Sequence, residues 1–159
     1  MSGGQGGRAS TGAAGTEGRQ GGDLRFAGYA AIFDRVDRGG DVVRAGAFGE
    51  VAAEGVPLLW QHGPGSVIGR IESAREDKRG LRVIGRVSRA TAAGREAAAA
   101  LEAGAVNGLS FGYRVRHARG ARPRELLALE LVEVSVVTHP MQPLARVVGV
   151  ERSPLSSFA

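Results

Sequence analysis

A chain of 159 residues with no cysteine can offer no disulfide, no thiolate zinc ligand and no thiol nucleophile, so its chemistry must come from hydroxyls, imidazoles and carboxylates. The stretch AVNGLSFGYRV, residues 105 to 115, places Ser110 between Gly108 and Gly112 in a G-x-S-x-G frame. In α/β-hydrolases that frame puts a nucleophilic serine on a sharp turn from strand to helix, with an acid and then a histidine following in the chain. Ser110 is followed by no helical pattern. Leu109, Phe111, Tyr113 and Val115 alternate with Ser110, Gly112, Arg114 and Arg116, which is the period of a strand. The serine is expected on the face away from the apolar layer, its hydroxyl reachable. Its glycines either clear room for an approaching backbone or mark a bulge.

A serine nucleophile needs a base, and only three imidazoles exist: His62, His117 and His139. His117 falls on the far face of the serine's own strand, within a basic run, and reads as a surface histidine. His62 ends the apolar run PLLWQH just before GPG, a strand edge from which side chains commonly reach a cleft. In LALELVEVSVVTHP, residues 127 to 140, alternation sets Glu133 and His139 on one face and Glu130 on the other. A carboxylate in so apolar a strand is costly to bury unless a charged or hydrogen-bonding group meets it. Glu133 therefore stands out among the carboxylates, although a wet outer face would suit it equally well.

These side chains need a scaffold, and strand signals dominate. Strands are expected at 24–33, 56–62, 66–77, 80–88, 109–117 and 125–138, with a hairpin turn from Asp77 to Gly80. Residues 91–104 predict a helix that Thr91 caps and Gly104 ends. Residues 45–55 predict a shorter helix closed by Gly55. The whole is mainly β with helices: a barrel or sandwich decorated by short helices, not a doubly wound sheet. Residues 1–22 hold nine glycines and almost nothing large and apolar, so a flexible arm is expected there. One domain then spans 23–150, and 151–159 reads as a loose tail.

The formal charge of +5 comes from 21 basic residues, all arginine but Lys78, a bias that a GC-rich genome produces without any functional demand. One cluster stands out: RVRHARGARPR, residues 114 to 124, carries five arginines. A solvated hairpin tip ranks first for it, an acidic protein partner second and nucleic acid third. With no apolar run near the ~20 residues of a membrane span and no signal-like N-terminus, a soluble intracellular protein is expected, with no membrane partner.

Taken together, GYAAIFDRVDRGGDVVRAGAF, VPLLWQH, GLRVIGRV, GREAAAALEAGAVNGLSFGYRV and LELVEVSVVTHPMQPLARV resemble the prohead maturation proteases of tailed bacteriophages and of related gene transfer agents. The resemblance runs from about Phe26 to Val147 as several separated blocks in the same order. It implies a compact β-barrel of the herpesvirus assemblin type and a serine endopeptidase that cuts scaffold segments, the major capsid protein and itself inside an assembling prohead. It leaves room for a homo-oligomer within that shell and does not fix the oligomeric state. The histidine of the family's L-x-Q-H block falls on His62 and the serine of its G-L-S-x-G-Y block on Ser110. Glu133 falls where assemblins carry a second histidine, with His139 as the rival third member. Neither a cofactor nor a metal is implied. Under this reading the backbone N–H groups of Met141 and Gln142, between Pro140 and Pro143, offer oxyanion donors. Two other classes remain beside the protease: a non-catalytic capsid scaffolding module on the same barrel, and a basic nucleic-acid-binding barrel. Against the second, the aromatics of LSFGYRV share a face with Leu109 and Val115, as core residues do.

Overall fold

A computed structural model of the chain describes residues 22–151. Eight strands and one helix are formed there: β1 Leu24–Ile32, β2 Asp41–Val43, β3 Pro57–Trp60, β4 Val67–Glu76, β5 Gly80–Val87, α1 Ala92–Ala103, β6 Gly108–Arg119, β7 Arg124–Val137 and β8 Val147–Glu151. Apart from Gly22 and Glu151, the arm and the tail expected at the two ends lie outside the described residues. Glu151 closes β8 and its carboxylate accepts from Arg25 Nη1 at 2.7 Å.

The strands follow from side-chain alternation. In β5, Leu81, Val83 and Val87 are fully buried while Arg82, Ile84 and Arg86 between them are half-buried. Asp77 turns β4 into β5 by accepting the amides of Arg79 and Gly80 at 2.8 and 3.1 Å. Gly69 of β4 lies against the β5 backbone, where an added Cβ would stand 1.8 Å from the Arg86 carbonyl oxygen. Gly69→Ala must therefore part the two strands, and we expect a loss of about 3 kcal/mol, read from the urea midpoint. The helix has the predicted ends: Thr91 Oγ1 accepts the Gly94 amide at 3.0 Å, and Gly104 takes a left-handed φ of 72°. Gly94, Ala97, Ala98 and Leu101 form its buried face, which packs on β4 with β3 and β5. It is the only helix among the described residues and is too short to cross a membrane.

The sheet runs β2-β7-β3-β4-β5-β1-β8, and β6 lies on the other edge of β7. It curls until its ends meet. Tyr29 N–H donates to the Arg146 carbonyl at 3.0 Å, Leu109 N–H to Ala145 at 3.0 Å and Val147 N–H to Asn107 at 2.8 Å, so residues 145–147 join β1 to β6. Phe26, Leu58, Leu81, Leu109, Val134 and Val136 are fully buried inside the curl. Each such burial contributes roughly 1.5–3 kcal/mol.

Three expectations need correction. The helix expected at 45–55 does not form, because Gly46, Gly49 and Gly55 all take positive φ and interrupt any helical run. The segment instead turns tightly, with the Glu76 carboxylate accepting the amides of Gly46 and Phe48 at 2.7 and 2.8 Å. The strand expected to reach His62 stops at Trp60. Two short strands were not expected at all. β2 pairs parallel with the start of β7, tied there by the Asp41–Arg124 ion pair at 2.8 Å, and β8 pairs with β1.

The basic run forms the tip of the β6–β7 hairpin, the arrangement ranked first above. Much of its charge is paired: Arg114 and Arg116 meet Glu130, Arg119 meets Glu125 and Arg124 meets Asp41. Between them, Arg119 and Arg44 hold the Glu125 carboxyl down at about 2.

Candidate active site

β6 and β7 are antiparallel neighbours whose register sets Gly108 opposite Val137, Ser110 opposite Ser135 and Gly112 opposite Glu133. Side chains directly opposite share a face. Ser110, Ser135 and Glu133 therefore stand together on one patch of sheet, and the glycines of the G-x-S-x-G frame flank it. Both glycines mark tight approach. A Cβ at Gly108 would lie 2.6 Å from the Val137 carbonyl oxygen and 2.7 Å from Pro140 Cδ. At Gly112 it would lie 2.7 Å from Glu133 Oε1.

His62 arrives from outside this hairpin. β3 runs parallel to β7, with Trp60 opposite Val136. Gln61 and His62 then both take left-handed backbone, φ 53° and 61°, and turn the chain at the strand end. Non-glycine residues rarely adopt this conformation, so something must hold it. The clamp is Gln61: its amide donates to the Val136 carbonyl at 2.9 Å, its Nε2 to Thr138 Oγ1 at 2.7 Å, and its Oε1 accepts the Thr138 amide at 3.0 Å. So anchored, His62 Nδ1 lies 3.8 Å from Glu133 Oε1. The imidazole is 52% exposed and the carboxylate 16%, an arrangement that leaves the ring accessible and the acid sheltered.

Ser110 and His62 line one cleft of about 120 Å³, whose apolar wall includes Ala30, Ile32, Val43 and Phe111. Ser110 is only 4% exposed, more enclosed than an outward strand position suggests, because the loop after β7 folds over it. The backbone N–H of Met141 in that loop donates to Ser110 Oγ at 3.1 Å. A second loop braces the first: Arg38 N–H donates to the Met141 carbonyl at 2.9 Å, and Gln142 Nε2 to the carbonyls of Arg35 and Val36 at 3.3 and 3.4 Å. At the edge of the cleft Tyr113 Oη donates to Asp41 at 3.2 Å. Arg124 holds the Asp41 carboxyl below the usual carboxylate range, and burial with Asp41 beside it raises the Tyr113 hydroxyl.

Each residue singled out in the sequence now has a place. His139 lies exposed in the turn beyond the end of β7, off the alternation that would have aligned it with Glu133, and it is not among the residues lining the cleft. His117 is exposed on the hairpin. Sequence reasoning passed over Ser135, which is fully buried and donates from Oγ to Glu133 Oε2 at 2.7 Å. Its signal was present as the i, i+2 pair in EVS. It also passed over the Gln61–Thr138 clamp, for which it held no signal. Among the described residues no group of three His, Asp or Glu side chains converges as a metal ion requires.

The curled sheet with its helix is the fold of the herpesvirus proteases. The KSHV protease, solved with a hexapeptide phosphonate inhibitor, superposes with a TM-score of 0.56 at 13% identity, covering 83% of this chain and 66% of that one. The varicella-zoster virus protease gives 0.55 at 17% identity, covering 84% and 66%. The chain belongs to the caudovirus prohead serine protease family (Peptidase_S78), whose model matches residues 14–156. The prohead protease of Enterobacteria phage HK97 is 32% identical over 94 residues, which are 57% of this chain and 42% of that protein. The chain thus spans less than half the length of this curated relative.

Proposed function

We propose that the chain is a serine endopeptidase that trims scaffold and major capsid protein segments during prohead maturation, with Ser110 as nucleophile, His62 as base and Glu133 as the acid that orients it. The observation that carries this reading is one cleft shared by Ser110 and His62, with Glu133 Oε1 3.8 Å behind His62 Nδ1. With Nδ1 turned to the carboxylate, Nε2 is the nitrogen left to take the serine proton. Among the described residues no hydrogen bond joins Ser110 to His62, and the 3.8 Å between His62 Nδ1 and Glu133 Oε1 exceeds hydrogen-bond length. In resting enzymes such contacts are often long and tighten in the Michaelis complex.

The reaction follows in balanced steps. Ser110 Oγ attacks the peptide carbonyl carbon while its proton passes to His62. The resulting imidazolium faces Glu133, and its proton then leaves with the amine as the C–N bond breaks. Water hydrolyses the acyl-enzyme by the same relay. The developing oxyanion forms beside Oγ, toward which the Met141 N–H is already directed. A Met141→Pro variant lacks that donor and keeps both side chains of the relay. We expect its rate of peptide-bond cleavage to fall by about 10²–10³-fold, measured by appearance of trimmed capsid protein on co-expression. A rate within threefold of the parent removes Met141 from the oxyanion site.

The scaffold, capsid-protein and self-cleavage substrates are those of the family, and assembly inside the prohead, as a homo-oligomer, is part of the same proposal. Co-expression with the cognate major capsid protein, followed by N-terminal sequencing of the assembled shells, tests it. A defined new N-terminus supports it; untrimmed shells from the unmodified pair favour a scaffolding module. Against the nucleic-acid reading, Phe111 meets Phe48 edge-to-face at a centroid distance of 5.3 Å and Tyr113 at 4.9 Å, and Tyr113 is bound to Asp41, so these rings are engaged within the protein.

A further inference from the structure

A carboxylate can orient an imidazole only if it is itself held. Glu133 projects from an edge of the patch on a side chain with three rotatable bonds, and no arginine or lysine pairs with it among the described residues. Two neighbours confine it. Ser135, two positions along the same face of β7, is fully buried and gives its hydroxyl proton to Oε2 at 2.7 Å. Gly112, directly across on β6, leaves the space in which the carboxyl end lies: a Cβ there would meet Oε1 at 2.7 Å, Cγ at 3.0 Å and Cδ at 3.2 Å. With Oε2 fixed by Ser135 and the carboxyl end laid over Gly112, Oε1 is the oxygen presented to His62.

Building on the catalytic reading above, we propose that Ser135 and Gly112 are positioning residues that lock the Glu133 carboxylate with Oε1 toward His62. Neither lines the cleft, and each acts through Glu133. Among the described residues the Ser135 hydroxyl makes this one side-chain hydrogen bond; buried polar groups are retained where they are satisfied, and the partner it satisfies is this acid. The clash foreseen at Gly112 falls on the tip of a flexible side chain, not on backbone. Gly112→Ala therefore moves the carboxylate and leaves the strand pair standing.

The test uses the full chain and a fluorophosphonate probe, which Ser110 Oγ attacks at phosphorus with loss of fluoride while the serine proton passes to His62. Its labelling rate reports the relay without a known substrate. We expect Ser135→Ala and Gly112→Ala each to slow labelling of Ser110 by about tenfold or more, with melting temperatures close to the parent. Ser135→Thr, which keeps the hydroxyl, should label faster than Ser135→Ala. The decisive comparison is with Glu133→Ala: in that background neither substitution should slow labelling further, because the group they position is gone. Losses that multiply in the double variants, a threonine variant no faster than alanine, or single variants at the parent rate overturn the proposal. A parent chain that takes no label at Ser110, or a Glu133→Ala variant as fast as the parent, overturns the catalytic reading instead and this inference with it.

Discussion

Ser110→Ala is expected to abolish capsid-protein trimming while leaving the protease folded and shell assembly intact. Removing the nucleophile of a serine protease costs about 10⁶-fold in turnover, because base and acid then have nothing to activate. The structural cost is small by comparison. Ser110 Oγ accepts one hydrogen bond, from the Met141 amide, and its loss amounts to about 1 kcal/mol. The two effects separate cleanly by experiment: trimming is scored on gels of purified shells, folding by thermal melting. Trimming that survives the substitution removes Ser110 from its role.

His62→Asn should be nearly as severe, about 10⁵–10⁶-fold. Asparagine suits this test because His62 occupies left-handed backbone at φ 61°, a conformation asparagine adopts more readily than most residues. The amide cannot take up the serine proton, yet the turn after β3 and the Gln61–Thr138 clamp remain. An alanine would mix loss of the base with strain in the turn. Unchanged melting with trimming lost is the expected outcome, and trimming within tenfold of the parent would show that another group serves as base.

The sequence carried some of this arrangement and concealed the rest for identifiable reasons. Thr91 and Gly104 announce the ends of α1 because capping is local chemistry, satisfied within one helical turn. The β4–β5 hairpin is legible for the same reason: Asp77 bonds amides two and three residues on. By contrast β2 and β8 owe their form to partners far along the chain, Asp41 to Arg124 and Arg25 to Glu151, and no local pattern marks them. Residues 45–55 misled because alanines and a closing glycine imitate a helix, whereas the glycines within are used for positive φ.

The site shows the same division. Alternation put Glu133 and Ser110 on strands and drew attention to both. It also grouped His139 with Glu133, which holds only while the strand lasts, and β7 ends at Val137. What alternation could not give was register. Only the pairing of Gly112 with Glu133 and of Gly108 with Val137 explains the two glycines: they stand beside the serine because a carboxylate and the Val137–Pro140 turn lie over them. Enclosure of Ser110 was hidden likewise, since it depends on Met141, 31 residues further along the chain.

The proposed relay makes one serine, Ser110, nucleophilic through one histidine, His62, across this cleft. Its most direct measurement is mass-spectrometric mapping of the fluorophosphonate adduct on the intact chain. One modified residue is expected, Ser110, with labelling that disappears in His62→Asn. An adduct on any other residue, or labelling of Ser110 undiminished without His62, would contradict it.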